Sequence, residues 1–471
     1  MSVNIQDAQI EAIIQQVLAQ MGGGAAGELP RAAQYRGVFA TPDEAVQAAS
    51  KALAQFRRVS LTQRKAIIKA MREISIENAR KLAQLAVEET GMGRVSDKVL
   101  KNLLVAEKTP GVEFLPNDAY VGDDGLTLEE CAPFGVILSI TPVTNPTATV
   151  INNAISMVAA GNSVVFAPHP SSQQSSLATM DLLNEAIEHA GGPANLLTAA
   201  SQATIEVAQE LMAHPLINLI CTTGGKAVVD AALKSGKRAI GAAAGNPPAL
   251  VDDTADPVKA ARDIILGHSF DNNMPCTSEK EVVVTAGIAD ALMNAFRAAP
   301  DVHVLDPARL PQLEKVVLNE KRTGPNPRYI GKNACVILAE IGIPADEQMR
   351  AIVVEVGKDH PFARRELMMP VLGVVRARDF NDAVELAIEL EHGLRHSAII
   401  HSSNIYHMSD FGRAINTSVF VKNAPSYAGL GFGGEGHTSF TIAGRTGEGM
   451  TTARTFTRIR RCTLVGAFSA V

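Results

Sequence analysis

The sequence predicts an α/β protein made of two large units, each built on a parallel sheet, and three observations carry that reading. The chain has 471 residues, enough for more than one core. From Phe134 onward, short apolar runs alternate with helical stretches, the pattern of buried parallel strands covered by helices on both faces. Turn residues recur just after those runs, at the strand ends where such sheets bind ligands.

Within the first unit the strand-like runs are 135–140, 163–167, 216–221 and 238–242, with helices expected near 147–160, 173–190, 204–213 and 225–235. The turns are Thr141 to Pro146, Pro168-His169-Pro170 and Thr222 to Gly225. A second unit starts near Val251, with strands near 281–285, 351–356, 371–376, 396–401 and 418–422. Helices near 288–298, 380–391 and 404–416 separate them. Upstream, Thr41-Pro42-Asp43-Glu44 reads as a helix start: an N-cap, proline at the first position and acidic first-turn residues. That helix runs to about Phe56, and a long one from Ser60 to Glu89 is stopped at Gly91. Gly122 to Gly125, flanked by strand-like triplets, predicts a hairpin, and the tail from His437 ends in an apolar run that reads as an extra strand.

Apolar residues make up 46% of the chain and charged residues 20%, which suits a compact protein with a packed core. The net charge of −6 provides no basic field for nucleic acid or anionic membrane. No apolar stretch approaches the roughly 18 residues a membrane span needs. The five cysteines are dispersed with no CxxC spacing, which argues against a zinc site or a disulfide framework and for a reducing cytoplasm.

The first 21 residues carry Asp7 and Glu11 but no Lys or Arg, unlike a secretory leader. Ile10, Ile13, Ile14, Val17, Leu18 and Met21 form a helical apolar stripe over residues 1–21. Residues 22–33, opening with Gly22 to Gly24, read as a flexible linker. A helix tethered in this way needs another surface for its stripe: a groove on a partner, or its own oligomer.

The chemistry centres on Cys276, in the polar loop Phe270 to Lys280 between a helical and a β-branched run. A lone cysteine is more often a small buried hydrophobe, but at a cleft mouth its thiolate is a nucleophile. Asn145, at a strand end, reads either as a turn residue or as an amide that donates to an oxyanion. The one GxGxxG match, Gly429 to Gly434, has no helix after it and is not a dinucleotide fingerprint. P-loop, HExxH and GxSxG elements do not occur.

Taken together, Ile140-Thr-Pro-Val-Thr-Asn145-Pro, Ala160-Gly-Asn162, Thr223-Gly-Gly225, Ala244-Gly-Asn246-Pro-Pro248, the Cys276 loop and Glu366-Leu-Met-Met-Pro-Val371 resemble the aldehyde dehydrogenase superfamily in content and order. The details, with the tail from Gly434 to Cys462, are similar to its CoA-acylating branch, the acetaldehyde and propionaldehyde dehydrogenases of ethanolamine and propanediol utilisation. The resemblance spans about residues 34–471. It implies a Rossmann-type cofactor domain (34–117 and 136–250), a catalytic domain (251–436) and an oligomerisation arm (118–135 and 437–471), giving a dimer or tetramer. Residues 1–21 are similar to tags that direct such enzymes into bacterial microcompartments, which implies a shell protein as partner and a cytoplasmic, encapsulated location.

By match to the family, Cys276 attacks a short aldehyde, Asn145 and the Cys276 N–H hold the oxyanion, NAD takes the hydride and coenzyme A takes the acyl group. Ile140, Thr141 and Pro142 would line the cofactor cleft together with Pro168, Ala243 and Met368. Thr223, Gly224 and Gly225 would sit by the cofactor phosphates and Glu366 by the nicotinamide ribose. Gly245 would let the backbone pass close to the nicotinamide. His396 lies where related enzymes often have a histidine; it reads as a base for CoA or as a hydrogen-bonded core residue. Two departures stand out. Hydrolytic members carry a water-activating glutamate 34 residues before the cysteine, where this chain has Ala242. Ala167-Pro168-His169 stands where the superfamily often has a lysine before the proline, which leaves NAD against NADP open. The rival readings are a hydrolytic enzyme releasing free acid and a non-catalytic compartment scaffold.

Overall fold

A computed structural model describes residues 35–466, so the expected helix and linker over residues 1–33 lie outside the described residues. The first strands are β1 (Val38–Phe39), β2 (Asp118–Gly122), β3 (Gly125–Pro133), β4 (Val136–Thr141), β5 (Ser163–Pro168), β6 (Leu197–Ala200), β7 (Ile217–Thr223) and β8 (Ala239–Ala242). Six of them form a parallel sheet in the order β1-β6-β5-β4-β7-β8. Its central strands β4 and β5 are buried along their whole length, as continuous apolar runs with helices on both faces require. The order reverses between β5 and β7, so β4 sits at the topological switch point where such sheets bind ligands.

The second sheet comprises β9 (Pro248–Val251), β10 (Glu281–Thr285), β11 (Val302–Val304), β12 (Ala351–Glu355), β13 (Val371–Ala377), β14 (Ser397–His401) and β15 (Val419–Lys422). Its order is β11-β12-β13-β10-β9-β14-β15, and every pairing is parallel. Because β9 lies inside this sheet, the boundary between the units falls before Pro248 and not after residue 250. Proline heads β9, a position that asks for no ladder N–H, and this disguises the strand in sequence.

Local chemistry explains where the helices begin and end. Thr41 and Glu44 form a reciprocal capping box for Pro42–Phe56, with side chain to N–H distances of 3.2 and 3.1 Å. The long helix expected from Ser60 is two, Leu61–Glu77 and Ala79–Thr90. Asn78 breaks it by leaving helical geometry and donating its side chain to the Ile74 carbonyl at 2.9 Å. A further helix, Val95–Lys108, has no counterpart in the sequence reading; it packs against Leu61–Glu77, Ala79–Thr90 and Pro146–Ala159 and reaches the turn Phe270–Asn273.

The hairpin β2–β3 forms as expected, and β18 (Thr457–Val465) extends it in an antiparallel register from Thr457–Pro133 to Val465–Gly125. The tail before β18 does not belong to that arm. Its short strands β16 (Ile442–Ala443) and β17 (Gly449–Met450) pair with each other, and Phe440, Ile442 and Phe456 pack into the main core. Among the described residues no helix is long and apolar enough to cross a membrane.

Candidate active site

A cavity of about 420 Å³ lies beyond the carboxyl ends of β4, β5, β7 and β8 and reaches the loops that enter β10 and β13. From the first sheet its wall takes Ile140, Thr141 and Pro142 after β4, Pro168 and His169 after β5, and Thr223, Gly224 and Gly225 after β7. Asn145, Ala243, Cys276, Glu366 and Met368 complete the expected set on this wall. Gly245 and His396 do not line it. A Cβ on Gly245 would stand 2.9 Å from both the Cys276 carbonyl oxygen and the His396 ring, so the close approach that demands glycine is to protein, not to open cleft.

The loop carrying Cys276 is held in an unusual way. Asp271, Asn272 and Asn273 adopt φ of +48°, +54° and +65°, a left-handed run that Asp and Asn enter at less cost than most other non-glycine residues. Each side chain is clamped. Asn272 accepts from the Arg94 side chain at 2.9 Å and donates to the Gly331 carbonyl at 2.9 Å. Asn273 donates to the carbonyls of His268 and Glu279 and accepts from Lys280 Nζ at 2.7 Å. Asp271 pairs with both Lys98 and Lys101. The strained backbone is thus over-determined by hydrogen bonds, which is how such strain persists at a functional loop.

Burial pushes the Cys276 thiol up to about 12, Glu366 adds to the rise, and Lys280 opposes it. Glu366 is the only acidic side chain on the cavity wall among the described residues. It is not free: the buried Lys280 ammonium holds it at 3.5 Å. Ala242, 3% exposed, occupies the wall where a water-activating carboxylate would stand. His396 is 3% exposed, its Nδ1 meets Ser397 Oγ at 2.8 Å, and its Nε2 has no partner. Burial lowers its pKa to about 4, so the imidazole is neutral near pH 7.

Tests for a dinucleotide come from the first sheet. The helix Lys226–Lys234 has Gly225 as N-cap and no side-chain cap, which leaves its first N–H groups and positive dipole end facing the cavity wall. A Cβ at Gly225 would meet nothing within 4 Å, so the space over the helix start is open. Thr141 Oγ1, buried at the end of β4, lacks a partner. These residues fit a pyrophosphate-bearing cofactor. Sequence reasoning missed Ser439, Phe440 and Ile442, which the tail contributes to the wall. Thr441 ties that tail to Thr223 at 2.8 Å. It also missed Lys280 as the partner of Glu366, although Lys280 belongs to the very loop that singles out Cys276.

A thiol at the neck of a cleft between two parallel sheets, with a dinucleotide-type helix end on one side, defines a cysteine-dependent dehydrogenase site. The chain belongs to the aldehyde dehydrogenase family, whose profile matches residues 32–460. It is 49% identical over 474 residues to the acetylating acetaldehyde dehydrogenase EutE of Salmonella typhimurium, covering 100% of each chain. Identity to the CoA-propanoylating propanal dehydrogenase of the same organism is 44%, over 98% of this chain and 99% of that one. The fold matches a propionaldehyde dehydrogenase from the Clostridium phytofermentans fucose utilisation microcompartment with a TM-score of 0.90 at 50% identity, covering 93% and 100% of the two chains. It also matches a Rhodopseudomonas palustris propionaldehyde dehydrogenase with bound CoA and an acylated cysteine, with a TM-score of 0.89 at 48% identity and coverage of 91% and 98%.

Proposed function

We propose that this chain is a CoA-acylating aldehyde dehydrogenase that converts a short aldehyde, acetaldehyde or propanal, with NAD and coenzyme A into acyl-CoA and NADH. One observation carries the reading. Among the described residues, the wall beside Cys276 holds no free carboxylate: position 242 is alanine and Glu366 is engaged by Lys280. Water needs such a base to attack a thioester, whereas a thiol, partly ionised near neutral pH, needs less help.

Cys276 thiolate adds to the aldehyde carbon, forming a C–S bond and placing the carbonyl electron pair on oxygen. The Asn145 amide and the Cys276 N–H donate to that oxyanion. A nicotinamide dinucleotide held at Thr223, Gly224, Gly225 and Glu366 would supply the acceptor for the hydride, two electrons and one hydrogen, whose departure from the carbon restores the C=O and leaves a thioester on Cys276. CoA thiolate then attacks the thioester, and Cys276 leaves as thiolate. His396, off the cavity wall but with Nε2 unpaired and its pKa lowered to about 4, would hold the CoA thiol proton only in passing in this scheme. Lys280 favours the thiolate throughout, and Glu366, in keeping with its place on the wall, would bind the nicotinamide ribose. His169 at the end of β5, with no acidic residue on the adenosine side of the wall, is compatible with NAD and with NADP.

Omitting CoA tests the reading. With propanal and NAD, the enzyme should release about one equivalent of NADH per active site and then stall. Adding CoA should restore steady turnover with propanoyl-CoA as product. Sustained NADH formation with free acid as product would make the enzyme hydrolytic. In the same assay His396→Gln should spare the burst and slow the CoA-dependent rate; an equal loss in both phases would return His396 to a packing role.

We further propose that residues 1–21 bind a microcompartment shell protein and that β2, β3 and β18 form the arm of a dimer or tetramer. Tyr120, Val121, Ile459, Leu464 and Val465 on that arm are exposed, which suits a surface covered by another copy. Deleting residues 1–21 should leave turnover unchanged and abolish co-purification with shell protein. Loss of oligomer instead would assign the segment to self-assembly.

A further inference from the structure

The buried charges of Val95–Lys108 take no part in the mechanism above, yet they reach its oxyanion site. Lys101 Nζ donates to Asn145 Oδ1 at 2.6 Å, with Lys101 1% exposed and Asn145 8% exposed. One turn earlier on the same helix, Lys98 Nζ donates to the Thr144 carbonyl at 3.1 Å. Both ammonium groups pair with Asp271, five residues before the nucleophile.

We propose that Lys101 is the positioning residue for the Asn145 amide, holding its carbonyl oxygen so that its NH2 group faces the oxyanion. The proposal rests on the reading that Asn145 donates to that oxyanion. An amide presents an acceptor on one side and two donors on the other, and nothing in its shape chooses between them. An ammonium has donors only, so the reversed amide would press NH2 against NH3⁺. The choice is therefore made by Lys101.

A second observation points the same way. Asn145 is the N-cap of Pro146–Ala159, where an asparagine oxygen normally accepts from the helix's first N–H groups. Here it makes no such bond, and the oxygen is turned to Lys101 instead. The side chain is drawn off the helix, and its Nδ2 keeps one hydrogen on Thr144 Oγ1 at 3.0 Å and one free. Lys101 cannot follow a drifting amide, since Asp271 anchors it. The same carboxylate anchors the loop of Cys276, so donor and nucleophile are registered to one buried group. Two ammonium groups against one carboxylate also leave positive charge at the oxygen end of the amide, which strengthens its N–H groups as donors.

A double-mutant cycle read on single-turnover NADH formation tests this at pH 7, below the value of about 8 to which burial lowers Lys101. Asn145→Ala should slow acylation about 10²–10³-fold, the usual cost of one oxyanion donor. Lys101→Met should slow it about 10²-fold with the aldehyde KM little changed, and Lys101→Gln, which keeps a donor, should recover part of the loss. The double variant should be no slower than Asn145→Ala, because Lys101 acts only through that amide. If Lys101→Met does not fold, Lys101→Gln takes its place in the cycle. Losses that multiply in the double variant, or a wild-type rate for the Lys101 variant, overturn the proposal while the oxyanion reading stands. A wild-type rate for Asn145→Ala overturns both.

Discussion

Cys276→Ala is expected to lower acyl-CoA formation by roughly 10⁴-fold or more, the order of loss that follows removal of a covalent nucleophile. The fold should survive the change: the thiol makes no hydrogen bond that stabilises the loop, which is clamped by Asp271, Asn272 and Asn273 instead. Thermal midpoint should move little, and incubation with propanal and NAD should leave no acyl adduct on the protein. The intact enzyme should show one adduct of propanoyl mass, on Cys276. Unchanged aldehyde oxidation in the variant would remove Cys276 from the chemistry and favour another route altogether. The electrostatics add a pH dependence. With the thiol raised to about 12 by burial and Glu366, the cofactor-free protein holds Cys276 protonated at neutral pH. Its alkylation rate should keep climbing about tenfold per unit through pH 9, where an ordinary thiol would begin to level off. An early plateau would mean that Lys280 outweighs burial and Glu366.

Much of this site was legible from sequence because its parts are local. Continuous apolar runs marked β4, β5 and β7, and the turns following them proved to be cavity wall. The loop around Cys276 stood out by its position between elements. What escaped depends on contacts between distant segments. β1 has two residues and β6 reads Leu-Thr-Ala-Ala, too short and too bland for a periodic signal; β6 is a strand only because β5 offers it an edge, and β1 because β6 does. Ser439 and Phe440 reach the cavity from about 300 residues beyond β4, folded back by the Thr441–Thr223 bond. Gly245 was expected to let the backbone pass close to the nicotinamide, whereas the neighbours that require a glycine there, Cys276 and His396, are visible only in three dimensions. Val95–Lys108 is the most instructive omission. Its inward face carries Asp97, Lys98, Lys101 and Asn102, residues that a reading by hydrophobic periodicity places in solvent.

Asp271→Asn should therefore be among the most destabilising single changes in the protein, at about 3–5 kcal/mol, the range for removing one partner of a buried ion pair. Asparagine isolates the charge. It tolerates the left-handed backbone, and its Oδ1 still accepts the Arg94 N–H now bonded at 2.7 Å. What changes is the other oxygen, which becomes an NH2 group facing two ammonium groups that are 1–2% exposed and, among the described residues, have no other carboxylate within ion-pair distance. Such a loss is a large part of the 5–15 kcal/mol that holds a typical domain together. The midpoint of urea unfolding should fall accordingly, and a shift no larger than that of a surface substitution would show that water or a neighbour already neutralises the lysines. Adding Lys98→Met and Lys101→Met to Asp271→Asn removes the unpaired charges and should restore most of the stability, since apolar groups of similar volume replace buried ion pairs at little net cost. Activity should not return with it. Asn145 would lose the donor that orients its amide, so the triple variant would be a well-folded protein with a misaimed oxyanion site. Stability and catalysis recovered together would mean that the buried charges serve packing alone.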